Sequence, residues 1–218
     1  CPSFFDSVIV VVNNAPDTPT AANSIVYCQD VIASALTANG TNLRWYTVPT
    51  GGVGTSTAPV PSTASAGTTT YYVTQTDNNF CESERKAINV VVLAKPQPPV
   101  VSPIVYYCHN AIATQLTAAG TNLKWYTSPI GGVGSSTAPI PSTTTVGTTT
   151  YYVTQTDGSS CESNRAAINV TIIANPNAPA VSSPVNYCQF GSNLPGLGAF
   201  VSGTTIKWYT TSSGGTGS

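Results

Sequence analysis

The undecapeptide GTTTYYVTQTD occupies residues 67–77 and returns, letter for letter, at residues 147–157. A verbatim recurrence at a fixed shift means one folding unit used repeatedly rather than one large domain, and this constrains the fold more than any other feature. The shift of 80 residues between Gly67 and Gly147 holds elsewhere in the chain. Tyr27-Cys28 returns as Tyr107-Cys108 and Tyr187-Cys188, while Cys1, Cys81 and Cys161 form a second series on the same spacing. Residues 16–95 and 96–175 agree at roughly 60% of positions, far above what shared strand composition produces. Four segments follow: 1–15, the last strand of a preceding unit; 16–95 and 96–175, two full units; and 176–218, the first half of a further unit. Strands left without partners expose backbone and apolar surface, so continuation of the chain in both directions is expected.

Within a unit the pattern is that of strands. The repeated undecapeptide is rich in Thr, Tyr and Val, which suit a pleated, half-buried surface. Its period-2 geometry sends Tyr71 and Val73 to one face and Tyr72 and Thr74 to the other. Further extended segments are expected near residues 25–28, 34–38, 43–47, 57–60 and 87–93, separated by turns such as Gly51-Gly52-Val53-Gly54. Pro-rich pieces such as Lys95-Pro96-Gln97-Pro98-Pro99 cannot join a central sheet and mark the linkers. About seven short strands in roughly 80 residues predict an all-β chain of antiparallel β-sandwich domains in a linear array. Alternation assigns Leu36, Trp45, Tyr71, Val73, Ile88, Val90 and Val92 to the core, with Leu116, Trp125, Tyr151, Val153, Ile168, Val170 and Ile172 as their copies.

Composition narrows the function. Lys and Arg total 7 against 8 acids with no basic cluster, so the electrostatic footprint of a nucleic-acid binder is missing. The longest apolar run, Val8-Ile9-Val10-Val11-Val12, is too short to span a bilayer, and no membrane span is expected in the chain. Catalysis needs a nucleophile with a base, a carboxylate pair or a metal cluster, yet the single histidine, His109, is replaced by Gln29 and Gln189 in the other units. Neither catalytic, cofactor-binding nor metal-binding residues are expected. Glu82 and Arg85, repeated as Glu162 and Arg165, read as a structural contact near a hairpin, and Asp77 and Asp157 as turn residues. The outward aromatics Tyr46, Tyr72, Tyr126 and Tyr152 remain as a possible surface for stacking against sugar rings, beside the plainer reading of cross-strand packing.

Six cysteines in a chain poor in charge, with no metal-type histidine spacing, argue for disulfides and an oxidising, extracellular compartment. Two pairings are open. One joins Cys28 to Cys81 and Cys108 to Cys161 within units, leaving Cys1 and Cys188 to partners outside the chain. The other joins Cys1 to Cys28, Cys81 to Cys108 and Cys161 to Cys188, at the cost of an awkward run back past a strand and a linker. Pairing within units is the expectation.

The repeated frame of Tyr-Cys, Leu-Thr-Ala, Trp-Tyr-Thr, Gly-Gly, Pro-Ser-Thr, the undecapeptide and Cys-Glu-Ser-x-Arg resembles the tandem Ig-like and PKD-like repeat domains of type IX-secreted Bacteroidota cell-surface adhesins. The resemblance covers nearly the whole chain. It implies an immunoglobulin-like sandwich, a secreted or cell-surface location, and a mechanical role as stalk repeats of a long adhesin, including those of gliding motility, or as spacers in secreted enzymes. The partners it implies are neighbouring repeats of the same chain, surface polysaccharide or other adhesin subunits; it carries over no cofactor and no catalytic residue. Residues 189–203 depart from the frame and are where specificity would vary.

Overall fold

The computed structural model describes residues 8–181, 183–187, 189, 196–200, 205–212 and 216–217. The chain is all-β, with no helix among the described residues. Residues 16–95 give β1 (Thr20–Ala21), β2 (Ser24–Cys28), β3 (Ala38–Asn39), β4 (Arg44–Tyr46), β5 (Gly67–Thr74) and β6 (Lys86–Leu93). Residues 96–175 give the same set as β7 (Val100–Val101), β8 (Ile104–Cys108), β9 (Ala118–Ala119), β10 (Lys124–Tyr126), β11 (Gly147–Thr154) and β12 (Ala166–Ile173). In each unit a four-stranded sheet, β2-β6-β5-β4 or β8-β12-β11-β10, faces a two-stranded one, β1-β3 or β7-β9.

The repeated undecapeptide supplies the central strand. β5 lies antiparallel between β4, through Trp45 opposite Val73, and β6, through Tyr71 opposite Ile88. Its last residues leave the ladder and close a hairpin in which Thr76 bridges Glu82. The core residues named from alternation pack together: Leu36, Trp45, Val73, Ile88, Val90 and Val92 are buried, with Tyr71 partly buried against them. The second unit repeats the cluster with Leu116, Trp125, Val153, Ile168, Val170 and Ile172.

Two features differ from expectation. First, the segments at residues 34–38 and 57–60 form no full strands: Ala38 and Asn39 make a two-residue strand, the Leu36 amide donates to the Pro59 carbonyl at 2.9 Å, and Thr55 makes an isolated bridge to Trp45. Proline explains part of this, since Pro59 and Pro61 lack the N–H that a ladder needs. Second, the sheet is not wholly antiparallel. β2 runs parallel to β6, with Ser24 opposite Asn89 and Cys28 opposite Leu93, and β8 does the same against β12. This edge pairing sets the position of the cysteines.

Residues 8–12 form no strand and stand exposed, Val8 at 87% and Val12 at 88%. Their counterparts in β6 and β12 lie between two partner strands, and no described strand lies beside residues 8–12. After the second unit, β13 (Ala180–Val181) pairs antiparallel with β14 (Ala199–Phe200), echoing β1 with β3. Most of the divergent segment 189–203, with Cys1 and Cys188, lies outside the described residues.

Candidate functional site at the junction between units

The parallel edge gives each unit two distinct ends. At the entry end lie the start of β2, the start of β6 and the hairpin at residues 77–81. There the Gln75 side-chain amide donates to the Asp17 carbonyl of the incoming linker at 2.7 Å. At the exit end lie Cys28 and Leu93, with the Gln29 amide donating to the Leu93 carbonyl at 2.8 Å. The linker at Lys95 to Gln97 carries the chain from the exit end of the first unit to the entry end of the second, where Gln155 donates to the Gln97 carbonyl at 2.7 Å. The units are joined head to tail.

A disulfide closes this junction. Cys28 is bonded to Cys161, with their Cα atoms 5.5 Å apart across a sequence separation of 133. Cys81 is half-buried and Cys108 exposed, both as free thiols. This corrects the expected pairing of Cys28 with Cys81 and of Cys108 with Cys161, and it is not the alternative of Cys81 with Cys108 either. The reason is geometric. Cys28 is level with Leu93 at the far end of β6, whereas Cys81 precedes Lys86 at its near end. The seven strand steps from Lys86 to Leu93 alone span about 23 Å at ~3.3 Å each, whereas a disulfide needs Cα atoms within about 7 Å. A bond between exit and entry ends of successive units meets no such obstacle. Lys95 Nζ adds an ion pair to Asp30 Oδ2 at 3.0 Å on the exit side.

Each cysteine hairpin is held by turn chemistry. Asp77 Oδ1 accepts from the amides of Asn79 and Cys81, both at 2.9 Å. Asp157 Oδ1 accepts from Ser159 at 2.9 Å and Cys161 at 3.0 Å. Beyond the hairpin a polar cluster sits on the outer face of the main sheet. Tyr46 donates its hydroxyl to Glu82, and Thr74 donates to the same oxygen, Oε1, at 2.6 Å. The Arg85 guanidinium stacks 3.7 Å from the Tyr46 ring centroid and donates to the carbonyls of Val48 and Gly51. Tyr126, Thr154, Glu162 and Arg165 repeat every part of it, with Arg165 3.6 Å from the Tyr126 ring. Gly54 must lack a side chain, because a Cβ there would fall 2.6 Å from Tyr46 Cζ.

Hydrogen bonds from Thr74 and then Tyr46, aided by the charges of Arg85 and Arg44, hold the Glu82 carboxyl below its ordinary range against the upward push of burial. Around Glu162 burial is the largest influence and acts upward, yet hydrogen bonds from Tyr126 and Thr154, with Lys124 and Arg165 nearby, bring the carboxyl net below its ordinary range. Burial first, and the bond to Glu82 second, push the Tyr46 phenol up.

The four outward tyrosines separate. Tyr46 and Tyr126 are buried, at 8% and 9% exposure, under their arginines and offer no face for stacking. Tyr72 and Tyr152 remain half-buried on the sheet. Tyr72 lines a cleft of about 470 Å³ with Thr50, Gly51, Thr74, Glu82 and Arg85. At Tyr152 the matching cleft takes in Asp30 and Lys95 of the first unit as well, so it belongs to the junction. His109 rests its Nε2 3.0 Å from the Thr144 carbonyl. No group of three or more His, Cys, Asp or Glu side chains suited to a metal occurs among the described residues. Sequence reasoning missed the inter-unit bond because period-2 patterning assigns faces but not strand direction.

Among solved structures, the chain is similar to the fibronectin(III)-like modules of Clostridium thermocellum CbhA. That match has 16% identity and a TM-score of 0.33, covering 72% of this chain and 93% of that one. It is also similar to human protocadherin-24 EC1-2, with 10% identity and a TM-score of 0.28 over 74% of this chain and 100% of that one. A third is the SGBP-B protein of a Bacteroides ovatus mixed-linkage glucan utilization locus, with 16% identity and a TM-score of 0.23 over 73% and 46%. No curated protein matches the chain. The family model described as "Ig-like domain CHU_C associated" matches residues 16–93 and again 96–173, and the chain therefore belongs to that family as two tandem Ig-like domains.

Proposed function

We propose that the chain is a length of structural stalk in a long secreted cell-surface adhesin or filament, holding a binding region away from the cell. The observation that carries this reading is the covalent, head-to-tail union of two sandwiches of the same design through Cys28 and Cys161. The bonded cysteines belong to the core cluster of neither unit, and their bond fixes one unit upon the next, which suits a spacer under tension. The disulfide is compatible with an extracellular location. Type IX export and gliding motility are the finer forms of the proposal, supported by the resemblance of the repeated frame. Small-angle scattering of the oxidised chain tests the stalk: an elongated particle with the cross-section of a single sandwich is expected, and a compact globule would rule it out.

A second reading, a module that binds surface polysaccharide, draws on the polar clefts beside Tyr72 and Tyr152. Glycan-array binding lost on joint Tyr72→Ala and Tyr152→Ala substitution is its expected signature, and a blank array would end it. Service as spacer domains in a secreted glycan-degrading enzyme fits the same stalk architecture.

A further inference from the structure

The bond between Cys28 and Cys161 leaves two half-sites of the same design unused at the opposite ends of the two-unit body. At the exit end of the second unit, Cys108 sits where Cys28 sits in the first. Its turn is hydrogen-bonded in the same way: His109 to the Ile173 carbonyl at 2.9 Å, Asn110 to Thr143 at 2.9 Å, and Ala111 to Cys108 at 3.0 Å. The first unit has Gln29 to Leu93 at 2.8 Å, Asp30 to Thr63 at 2.9 Å, and Val31 to Cys28 at 3.3 Å. The left-handed residue after the cysteine recurs too, Asp30 at φ 64° and Asn110 at φ 61°. Asn175 replaces Lys95 and donates to the His109 carbonyl at 3.2 Å, so the turn keeps its shape without the ion pair.

At the entry end of the first unit, Cys81 stands in the hairpin that presents Cys161 in the second. The Asp77 amide donates to the Cys81 carbonyl at 3.1 Å, against 3.2 Å for Asp157 and Cys161. Phe80 and Ser160, before each cysteine, share φ near 63° and 62°. What differs is cover. Cys161, facing a neighbour, is 0% exposed, whereas Cys81 is only half-buried and Phe80 beside it is 90% exposed.

We propose that each free thiol is half of a further inter-unit disulfide. Cys108 takes the hairpin cysteine of a following repeat and Cys81 takes the strand-end cysteine of a preceding one, so that the array is cross-linked at every junction. The partner is another repeat of this family, recognised by its Asp-x-x-x-Cys-Glu-Ser hairpin or its Tyr-Cys strand end. This rests on the stalk reading of the chain. Among the described cysteines other partners are excluded by position: Cys81 and Cys108 lie at the opposite ends of the two-unit body, and the length of β12 separates Cys108 from Cys161 just as β6 separates Cys28 from Cys81. In forming each bond, two thiols give up two protons and two electrons. A disulfide oxidant, small-molecule or protein, accepts them and leaves as two thiols.

The test extends the whole chain after Ser218 by a copy of residues 136–175, which completes its third unit and supplies one more hairpin cysteine. After equilibration in a glutathione redox buffer, the protein is alkylated, digested without reduction and mapped by mass spectrometry. In the unextended chain Cys108 is expected to alkylate, and in the extended chain that thiol is lost to a bond with the added hairpin cysteine. Persistent alkylation of Cys108, or its bonding to any other cysteine, would overturn the proposal. Cys28→Ser in the unextended chain guards against misfolding of the extension: it should free Cys161 and leave Cys108 still alkylated, whereas a Cys108–Cys161 bond would refute the assigned polarity. Scattering on the same samples separates the two readings, because an elongated particle without the new bond defeats only the cross-link.

Discussion

Pulling on the two termini offers a direct reading of the junction. With the disulfide intact, tension passes from Cys28 to Cys161 through the sulfur atoms, and the chain between them bears no load. That chain holds most of both sandwiches, including β4, β5, β6, β8, β10 and β11. The bond fixes Cα atoms 5.5 Å apart over a separation of 133 residues. Freed and fully extended, those residues reach about 440–480 Å at ~3.3–3.6 Å each. Single-molecule force spectroscopy should therefore show a final contour length shorter by that amount in oxidising buffer than in reductant, and Cys28→Ser should give the long value in either buffer. Pairing within units predicts a different signature, two separate shielded loops and insensitivity of the second to Cys28→Ser. Equal contour lengths with and without reductant would falsify the reasoning outright.

Other consequences are simpler to measure. Both glutamates of the polar clusters are held below their unfolded values, so their contribution to stability is complete above about pH 4.3, the ordinary glutamate value, and is lost as pH falls through the lower folded values. Thermal melts from pH 7 to pH 3 should be flatter for Glu82→Gln with Glu162→Gln than for the parent, and equal slopes would discount the cluster. Gly54→Ala should cost about 1–3 kcal/mol by chemical denaturation, since Tyr46 is confined between Gly54 and the Arg85 guanidinium. Gly158→Ala, whose new methyl meets nothing within 4 Å, is the neutral control. Truncating fully buried Ile88 to Ala should cost about 2–5 kcal/mol in the same assay, and a smaller loss would mean that the core relaxes around the gap.

Much of the fold was legible because sheets write their pattern with period 2. Val73, Ile88, Val90 and Trp45 could be assigned to the core from alternation alone, and they pack as one cluster. Tyr46 shows the limit of that rule. It does occupy the face opposite Trp45, but a buried environment is built over it by Arg85, Gly54 and Glu82, residues that come from loops with no periodicity to read. Strand direction was hidden for a related reason. Side-chain alternation is the same whether β2 runs up or down beside β6, yet direction alone decides whether Cys28 meets the hairpin of its own unit or that of the next. The decisive contact is long-range, made by two residues whose neighbourhoods look alike in every copy.

Comparison of the two units shows what the repeat has kept. β2 and β8 differ at Ser24, Ile25 and Val26 against Ile104, Val105 and Tyr106, then agree at the Tyr-Cys that ends each. The hairpins differ at residues 78–80 against 158–160, but retain Asp77, Cys81, Glu82, Ser83 and Arg85 as Asp157, Cys161, Glu162, Ser163 and Arg165. Sequence differs on exposed and half-buried positions between these anchors and agrees where a strand end or hairpin presents a cysteine to the neighbouring unit. The bond's reach of 133 residues also exceeds the 80-residue period. In an array linked this way at every junction, successive loops therefore overlap, and the hairpin cysteine of each bond lies inside the loop closed by the next. Reduction of one bond would leave that junction to its linker alone while the loops closed by the bonds on either side stayed shielded, so lengthening would be confined to the chain between them, from Cys81 to Cys108 at the junction seen here.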